Sequence, residues 1–353
     1  MKECPMVTVW MPCYNHERYV RESIESVLSQ TYKDFEFIIV ENGSTDHSRD
    51  IIKEYEDKAT VICFDKNDPE RVHEVIAQRA RGKYCAEITS DDIWMPDKLE
   101  KQVVFLEEHP EYQACFAWAE YGDESMEPIY DYTYTLFKQD NRTSAEWIKY
   151  FWQNGNCLCA PSVVMKTQEH IDIHKKGCGY WQLFDLGMWI RFLMKERQLY
   201  VFPEVLVKMR KHNTAISFSA CSRNRALEES AHIRMEIMEQ IPDKMFLEGF
   251  GMDFLRPDCK GHEELMCEKI LLLFRAAEND AALQTRAFDF FYKHYPDDKV
   301  VEVLKEKYNM GKLFFGDFAS EMGTQCLAER YYRQGVGDTM EELRGEAGSE
   351  LNL

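Results

Sequence analysis

The sequence contains no C-x-x-C pair, although 12 of its 353 residues are cysteine. Zinc-ribbon spacing is therefore absent. The thiols are scattered singly, several of them in apolar stretches such as Val61-Ile62-Cys63-Phe64 and Ala114-Cys115-Phe116-Ala117, where a reduced side chain is expected to pack as a small buried hydrophobe. Glycine and proline are also scarce, at 17 and 11, which excludes fibrous and low-complexity chains. No uninterrupted apolar run comes near the roughly 20 residues that cross a bilayer. The opening Met1-Lys2-Glu3-Cys4-Pro5 has none of the apolar core of a signal segment. A soluble cytoplasmic protein is expected, peripheral at the inner face of the membrane only if a partner carries it there. Positive charge is the remaining shortage: 43 Lys plus Arg stand against 62 Asp plus Glu, a net charge of −19. A surface of that sign repels nucleic acid and anionic lipid, so no nucleic-acid partner is expected. Any phosphate bound here needs a local answer, such as a metal ion, a helix N-terminus or a few placed cations.

What the chain does have is alternation. Val7 to Met11, Phe35 to Val40, Val61 to Phe64 and Tyr84 to Thr89 are apolar runs. Between them lie helical patterns at Glu17 to Gln30, around Ile51, Ile52 and Tyr55, and in the polar stretch ending at Gly82. This βαβαβαβ order predicts a mostly parallel sheet flanked by helices, with ligands beyond the carboxyl ends of the strands. The residues to watch are then Tyr14 and Asn15, Glu41 and Asn42, Asp65, and Ser90-Asp91-Asp92. From Pro96 to about Ser219 the signals are mixed, with helices expected at Asp97 to His109, Trp147 to Trp152 and Leu183 to Glu196, and strands at Ala114 to Ala119, Val163 to Met165 and Leu199 to Val207. After about Cys221 the apolar spacing is helical throughout, with a last helix near Phe318 to Leu327 and an acidic tail after Gly337. The expected divisions are residues 1–100, 101–219 and 220–353.

The segment Ile88-Thr89-Ser90-Asp91-Asp92-Ile93-Trp94-Met95-Pro96 ends a buried strand with two adjacent carboxylates. That is a hard-oxygen pair suited to Mg²⁺ or Mn²⁺ bridging a diphosphate, or a cap for the helix that follows. Together with Val7-Thr8-Val9-Trp10-Met11-Pro12-Cys13-Tyr14-Asn15, with Ser26 to Asp46 (SVLSQTYKDFEFIIVENGSTD) and with Arg81-Gly82-Lys83-Tyr84, it resembles the opening of the family 2 glycosyltransferases of the GT-A fold. The likeness is dense over residues 5 to about 100 and sparse from there to 217.

The resemblance implies a GT-A, Rossmann-like sheet followed by an all-helical C-terminal region, and inverting sugar transfer from a nucleotide diphosphate sugar, expected to be UDP-linked. The acceptor would be a hydroxyl of a glycan or lipid-linked precursor, as in surface polysaccharide synthesis. It places Pro12, Tyr14, Asn15, Glu41, Asn42, Ser90, Asp91 and Arg210 around the nucleotide, with Tyr14 against the base. It makes Asp91, Asp92 and His212 the ligands of Mn²⁺ or Mg²⁺. Asp185, in Phe184-Asp185-Leu186-Gly187-Met188-Trp189-Ile190-Arg191, becomes the catalytic base, with helix capping as its bland alternative. Arg210 and Lys211, in Met209-Arg210-Lys211-His212, would offset phosphate charge; Tyr180, Trp181 and the Cys159-Ala160-Pro161-Ser162 turn would wall the sugar or acceptor pocket. Three positions depart from the family pattern: Asn42 replaces an acidic residue, Thr89 replaces the first Asp of the metal motif, and His73-Glu74 stand where Arg and Asn are usual. A non-catalytic nucleotide-sugar or glycan binder is the rival that these departures favour, and a scaffold role or dimerisation through the C-terminal helices is a third expectation.

Overall fold

The computed structural model describes residues 4–310 other than 132, 175–178, 213–219 and 279. Residues 213–217 of the expected phosphate loop, the helix expected near Phe318 to Leu327 and the acidic tail lie outside the described residues. The chain divides into two compact units, Met1–Ala226 and Leu227–Leu353.

The first unit opens with β1 (Val7–Cys13), α1 (Val20–Leu28), β2 (Phe35–Glu41), α2 (Ser48–Lys53), β3 (Thr60–Cys63), α3 (Pro69–Arg79) and β4 (Tyr84–Glu87). Strands β1 and β2 are buried along nearly their whole length, which is why they read as unbroken β-branched and aromatic runs rather than as alternating ones. β1 pairs in parallel with β2 and β4, and β2 with β3, so that Cys13, Glu41, Cys63 and Glu87 all finish on one edge. β3 ends the sheet, and its Cys63 is exposed, contrary to the burial expected from its apolar neighbours. An outermost strand has no second neighbour to cover it. All nine described cysteines are unpaired, and Cys4 is the only other exposed one among them.

The second half of the sheet departs from the parallel plan. It adds β5 (Ile93–Trp94), β6 (Tyr112–Gly122), β7 (Val164–Lys166) and β8 (Gln198–Arg210), with helices α4 (Lys98–Glu108), α5 (Ser144–Asn154), α6 (Thr167–His174) and α7 (Phe184–Met194) between them. The strand order is β3-β2-β1-β4-β7-β6-β8-β5. β7 runs antiparallel to both β4 and β6, whereas β8 is parallel to β6 and antiparallel to β5. The pairings Ile93↔Lys208 and Gly122↔Arg210 bring the far end of β8 to the segment that follows β4.

Helices α3, α6 and α7 pack over the sheet face that carries Trp10. His73 of α3 stacks on His174 of α6 at 4.4 Å and on Phe184 of α7 at 5.0 Å, and His170 lies 4.1 Å from His174. Burial holds all three imidazoles neutral, lowering His73 to about 3, His174 to about 4 and His170 well below its ordinary value.

The second unit continues α8 (Ala220–Gln240) with α9 (Asp243–Phe250), α10 (His262–Ala277), α11 (Ala281–His294) and α12 (Asp298–Tyr308), and no strand occurs among its described residues. α10 is its centre: Leu265, Ile270, Leu273 and Phe274 are buried, and the buried Glu268 accepts the main-chain N–H groups of Leu255 and Arg256, each at 2.9 Å. Asp280 and Asp297 cap α11 and α12.

The histidine stack makes the fold sensitive to acid. Unfolded imidazoles titrate near 6.5 and the folded ones near 3 to 4, so the stability they represent is present above pH 6.5 and is lost as pH falls toward the folded values. Each contributes a slope of about 1.4 kcal/mol per pH unit within that window. His73→Phe, which keeps the stack but cannot take a proton, is expected to flatten denaturant-unfolding stability between pH 4.5 and 6.5 by one proton's worth. Identical slopes for parent and variant would show that His73 has no part in the acid response.

Candidate active site

The site is assembled from loops that leave the shared edge of the parallel strands. Beyond β1 the chain runs Tyr14-Asn15-His16, and beyond β2 it runs Asn42-Gly43-Ser44. The two loops are stapled to each other. Asn15, at a left-handed φ of 57°, accepts the Thr45 N–H at 2.8 Å, and its own N–H donates to Ser44 Oγ at 3.1 Å. The His16 N–H donates to Ser48 Oγ at 2.9 Å. Gly43 has φ of 75°, and a Cβ there would lie 2.4 Å from the Lys66 carbonyl carbon, so only glycine fits this turn. Glu41 is fully buried and accepts from Arg49 Nε at 2.7 Å and from the Ser44 N–H at 2.5 Å. Asn42 is buried too, donating to Asn67 Oδ1 and accepting the Asp68 N–H, both at 2.8 Å. Of the residues expected around the nucleotide, Glu41, Asn42 and Asn15 therefore build the loops, and Pro12 sits inside β1 opposite Val40. Tyr14 is the exposed one, with 40% of its surface open, as a ring waiting for a flat partner would be.

Beyond β4, Asp91 receives two imidazoles. His212 Nε2 lies 3.0 Å from Asp91 Oδ2, and His16 Nδ1 lies 3.9 Å from Oδ1 and 2.8 Å from Ser90 Oγ. One ligand atom from each of His16, Asp91 and His212 falls within 4.8 Å of the others, the only such group among the described residues. Burial pushes the Asp91 carboxyl up, but the hydrogen bond from His212 and the nearby His16 outweigh it, and the net shift is downward. Burial lowers His16, leaving it neutral and able to ligate. Two imidazoles and an ionised carboxylate make a donor set that would hold a divalent cation.

Two expectations change here. Asp92, expected as a ligand, lies outside the group: it is buried, accepts the Arg210 N–H at 2.9 Å and takes the Thr89 hydroxyl on its other oxygen. Burial, and then the Asp91 charge, raise it well above the carboxylate range. His16 takes the place expected for it. The sequence carries only a weak signal for that, a histidine two residues past Tyr14. Arg210, expected on the phosphates, is 4% exposed and turned inward. Its Nε donates to the Asp91 carbonyl at 3.0 Å, and its terminal nitrogens donate to the Glu124 carbonyl and, at 2.5 Å, to Glu22 Oε2. It holds the loop after β4 in shape. Lys211 pairs with Asp131 at 2.9 Å.

Asp185 lies inside the first turn of α7 rather than at its cap, which is Leu183. It accepts Asn156 Nδ2 at 2.6 Å and the Leu186 N–H at 2.8 Å. Burial raises it to about 6 despite those bonds. The Cys159 thiol is raised chiefly by burial, and further by the charges of Asp92 and Asp185. Pro161 and Ser162 of the same turn are buried, with the Pro161 carbonyl accepting Trp94 Nε1 at 2.8 Å, so that turn is scaffold; Trp181 is 60% exposed.

A family model described as glycosyl transferase family 2 matches residues 8–167. An uncharacterized glycosyltransferase of Methanocaldococcus jannaschii is 34% identical over 218 residues, which are 59% of this chain and 72% of that protein. Bacillus subtilis TuaG, named for teichuronic acid biosynthesis, is 31% identical over 60% of this chain and 82% of its own length. The chain is a family 2 glycosyltransferase. Its fold matches S. aureus TarS 1-349, solved in complex with UDP-GlcNAc, at a TM-score of 0.53 and 18% identity over 93% of this chain and 92% of that one. This glycosyltransferase therefore has the GT-A architecture implied by its opening motifs.

The ligand group generates a direct test. Asp91→Ala is expected to abolish Mn²⁺ binding measured by calorimetry, and His16→Ala to weaken it at least about tenfold, since each removes one donor. Asp92→Asn is expected to leave it near the parent's. Parent-like affinity in Asp91→Ala would end the assignment of this group as a metal centre.

Proposed function

We propose that this glycosyltransferase transfers a sugar, with inversion, from a UDP-linked donor to a hydroxyl of a glycan or lipid-linked acceptor in the synthesis of a cell-surface polysaccharide. Residues 1–100 hold the nucleotide sugar, and residues 101–219 shape the acceptor side. The observation that carries the reading is the presence of two unlike carboxyls: Asp91, beyond β4, lowered and flanked by His16 and His212, and Asp185, in the first turn of α7, raised to about 6. A base near 6 is ionised at neutral pH yet basic enough to take a proton from an attacking hydroxyl. The donor assignment is supported by the likeness to TarS, which has been solved with UDP and with UDP-GlcNAc, and the pathway by the similarity to TuaG, named for teichuronic acid biosynthesis.

In the mechanism, the exposed Tyr14 ring stacks on the base, where a flat face supplies affinity with little base selectivity. The diphosphate lies at Asp91, where His16, Asp91 and His212 would hold a divalent cation. The donor set, two nitrogens and one oxygen, suits Mn²⁺ better than Mg²⁺, which prefers oxygen alone. When bound, the cation supplies positive charge to the leaving diphosphate. Asp185 accepts the acceptor hydroxyl's proton at its carboxylate as the oxygen attacks the anomeric carbon from the side opposite the diphosphate. Asn156 and the Leu186 N–H orient that carboxylate. An α-linked donor then yields a β-linked product. No described helix is long and apolar enough to cross a membrane; action at the cytoplasmic face, on acceptors presented by the membrane, fits that arrangement.

Asp185→Asn keeps the shape and one of the two accepted hydrogen bonds but cannot take a proton. It is expected to bind donor and Mn²⁺ as the parent does and to lose transfer by about 10²- to 10⁴-fold. In the parent, activity is expected to fall as pH drops through about 6, where the base becomes protonated. Unchanged turnover in the variant would remove Asp185 from the chemistry, and lost donor binding would reassign it to the sugar pocket.

A further inference from the structure

Glu87 is the last residue of β4, four positions before Asp91, and it pairs with Trp10 of β1. It therefore stands at the strand edge from which the metal loop departs. Its carboxyl is partly exposed and, among the described residues, takes part in no hydrogen bond or ion pair. That is unusual beside so many satisfied groups: Glu41, Asp92 and Asp185 all accept hydrogen bonds from the protein. A carboxyl enclosed enough to feel burial, yet given no protein partner, is a group kept for a ligand.

The groups facing it define which ligand. From α7 comes Asp185, whose charge reaches Glu87. On its own strand is Cys85, and across the same sheet face are the neutral His73 of α3 and His170 and His174 of α6. The charge on β7, Lys166, pairs with Tyr84 at the other end of β4. Among the described residues, no cation is paired with Glu87. Its neighbours are thus the proposed base on one side and, four residues on, the proposed diphosphate site. The part of the donor between the leaving diphosphate and the attacking hydroxyl is the transferred sugar.

We propose that Glu87 is a specificity-determining residue that hydrogen-bonds an oxygen of the transferred sugar. This inference rests on the function proposed above. Burial, followed by the Asp185 charge, pushes the Glu87 carboxyl up to about 8, so it is protonated at neutral pH while Asp185 is ionised. A protonated carboxyl both donates and accepts, which suits a sugar hydroxyl better than a carboxylate crowded against a second negative charge.

The test uses the full chain with Mn²⁺, and as probes UDP, UDP-glucose, UDP-galactose and UDP-GlcNAc, followed by calorimetry and by donor hydrolysis across pH 5.5 to 9.5. Glu87→Ala is expected to bind UDP like the parent and the best UDP-sugar about tenfold more weakly or worse, as loss of one buried hydrogen bond to the sugar predicts. Glu87→Gln, which retains a donor and an acceptor, is expected to melt with the parent and to keep the decline in hydrolysis below pH 6. It is also expected to lose the decline that the parent shows above pH 8, where Glu87 gives up its proton. Parent-like UDP-sugar affinity in Glu87→Ala, or an unchanged alkaline decline in Glu87→Gln, would overturn the assignment while leaving the transferase reading intact. A parent that binds none of the four probes would overturn both together.

Discussion

The site depends on one buried side chain, Arg210. Its main-chain N–H is fixed by Asp92 and its guanidinium by the Asp91 carbonyl, the Glu124 carbonyl and Glu22, which ties the end of β8 to the loop after β4, to the end of β6 and to α1. Together with the pairing of β8 to β5 and β6, that clamp keeps His212 within 3.0 Å of Asp91, 121 residues earlier. A buried guanidinium is tolerable only when its donors are met in a fixed fork, and here carbonyls and a carboxylate meet them. Two residues further on, just past the end of β8, stands the imidazole. Order in the His16, Asp91 and His212 group is thus supported by a cation that meets it only through the Asp91 carbonyl.

The carboxyls of the site are sorted by their surroundings. In a chain carrying −19, a cluster of ionised acids would repel both itself and a diphosphate. The fold avoids this by giving each carboxyl a different environment. Asp91 has two imidazoles and is held low; Asp92 is buried against Asp91 and held high; Glu87 stands at about 8 and Asp185 at about 6. At neutral pH the ionised members are Asp91 and Asp185, the two whose proposed roles need a negative charge. Separation of acids by environment is how one pocket accommodates both a ligand carboxylate and a base.

The parallel half of the sheet is legible in the sequence because β1, β2 and β4 are covered by neighbours and so appear as continuous apolar runs. The second half is harder. β5 is two residues long and β7 three, below the length at which a period can be read, and their antiparallel pairing depends on β8 returning from far along the chain. α6 is missed because its buried face is built of Glu169, His170 and Ile173, two of them polar. In the site, Asp91, His212 and Asp185 follow from motif and chemistry, whereas the inward turn of Arg210 does not. Arginine in an acidic protein reads as a phosphate partner until its partners Glu22 and Glu124, distant in sequence, are seen.

The departures from the family pattern acquire a shared physical sense once these environments are known. Thr89 in place of an aspartate donates its hydroxyl to Asp92; a carboxylate there would add a further charge beside Asp91 and Asp92 and would have no proton to give. Asn42 in place of an acid both donates to Asn67 and accepts from the Asp68 N–H, a combination that an ionised carboxylate cannot make. His73 in place of an arginine joins a neutral stack under α7, where a permanent cation would be buried with no carboxylate assigned to it. Each of these three changes removes a formal charge from a crowded position and replaces it with a group that hydrogen-bonds or stacks; Glu74, exposed on α3, adds one in place of an asparagine. That is the opposite of what disuse would produce, since random loss leaves buried partners unsatisfied rather than re-paired. With no carboxylate at positions 89 and 42, Asp91 and Asp185 stand as the two acids whose proposed roles need a negative charge, and the reading of this chain as a working transferase rests on that economy of charge.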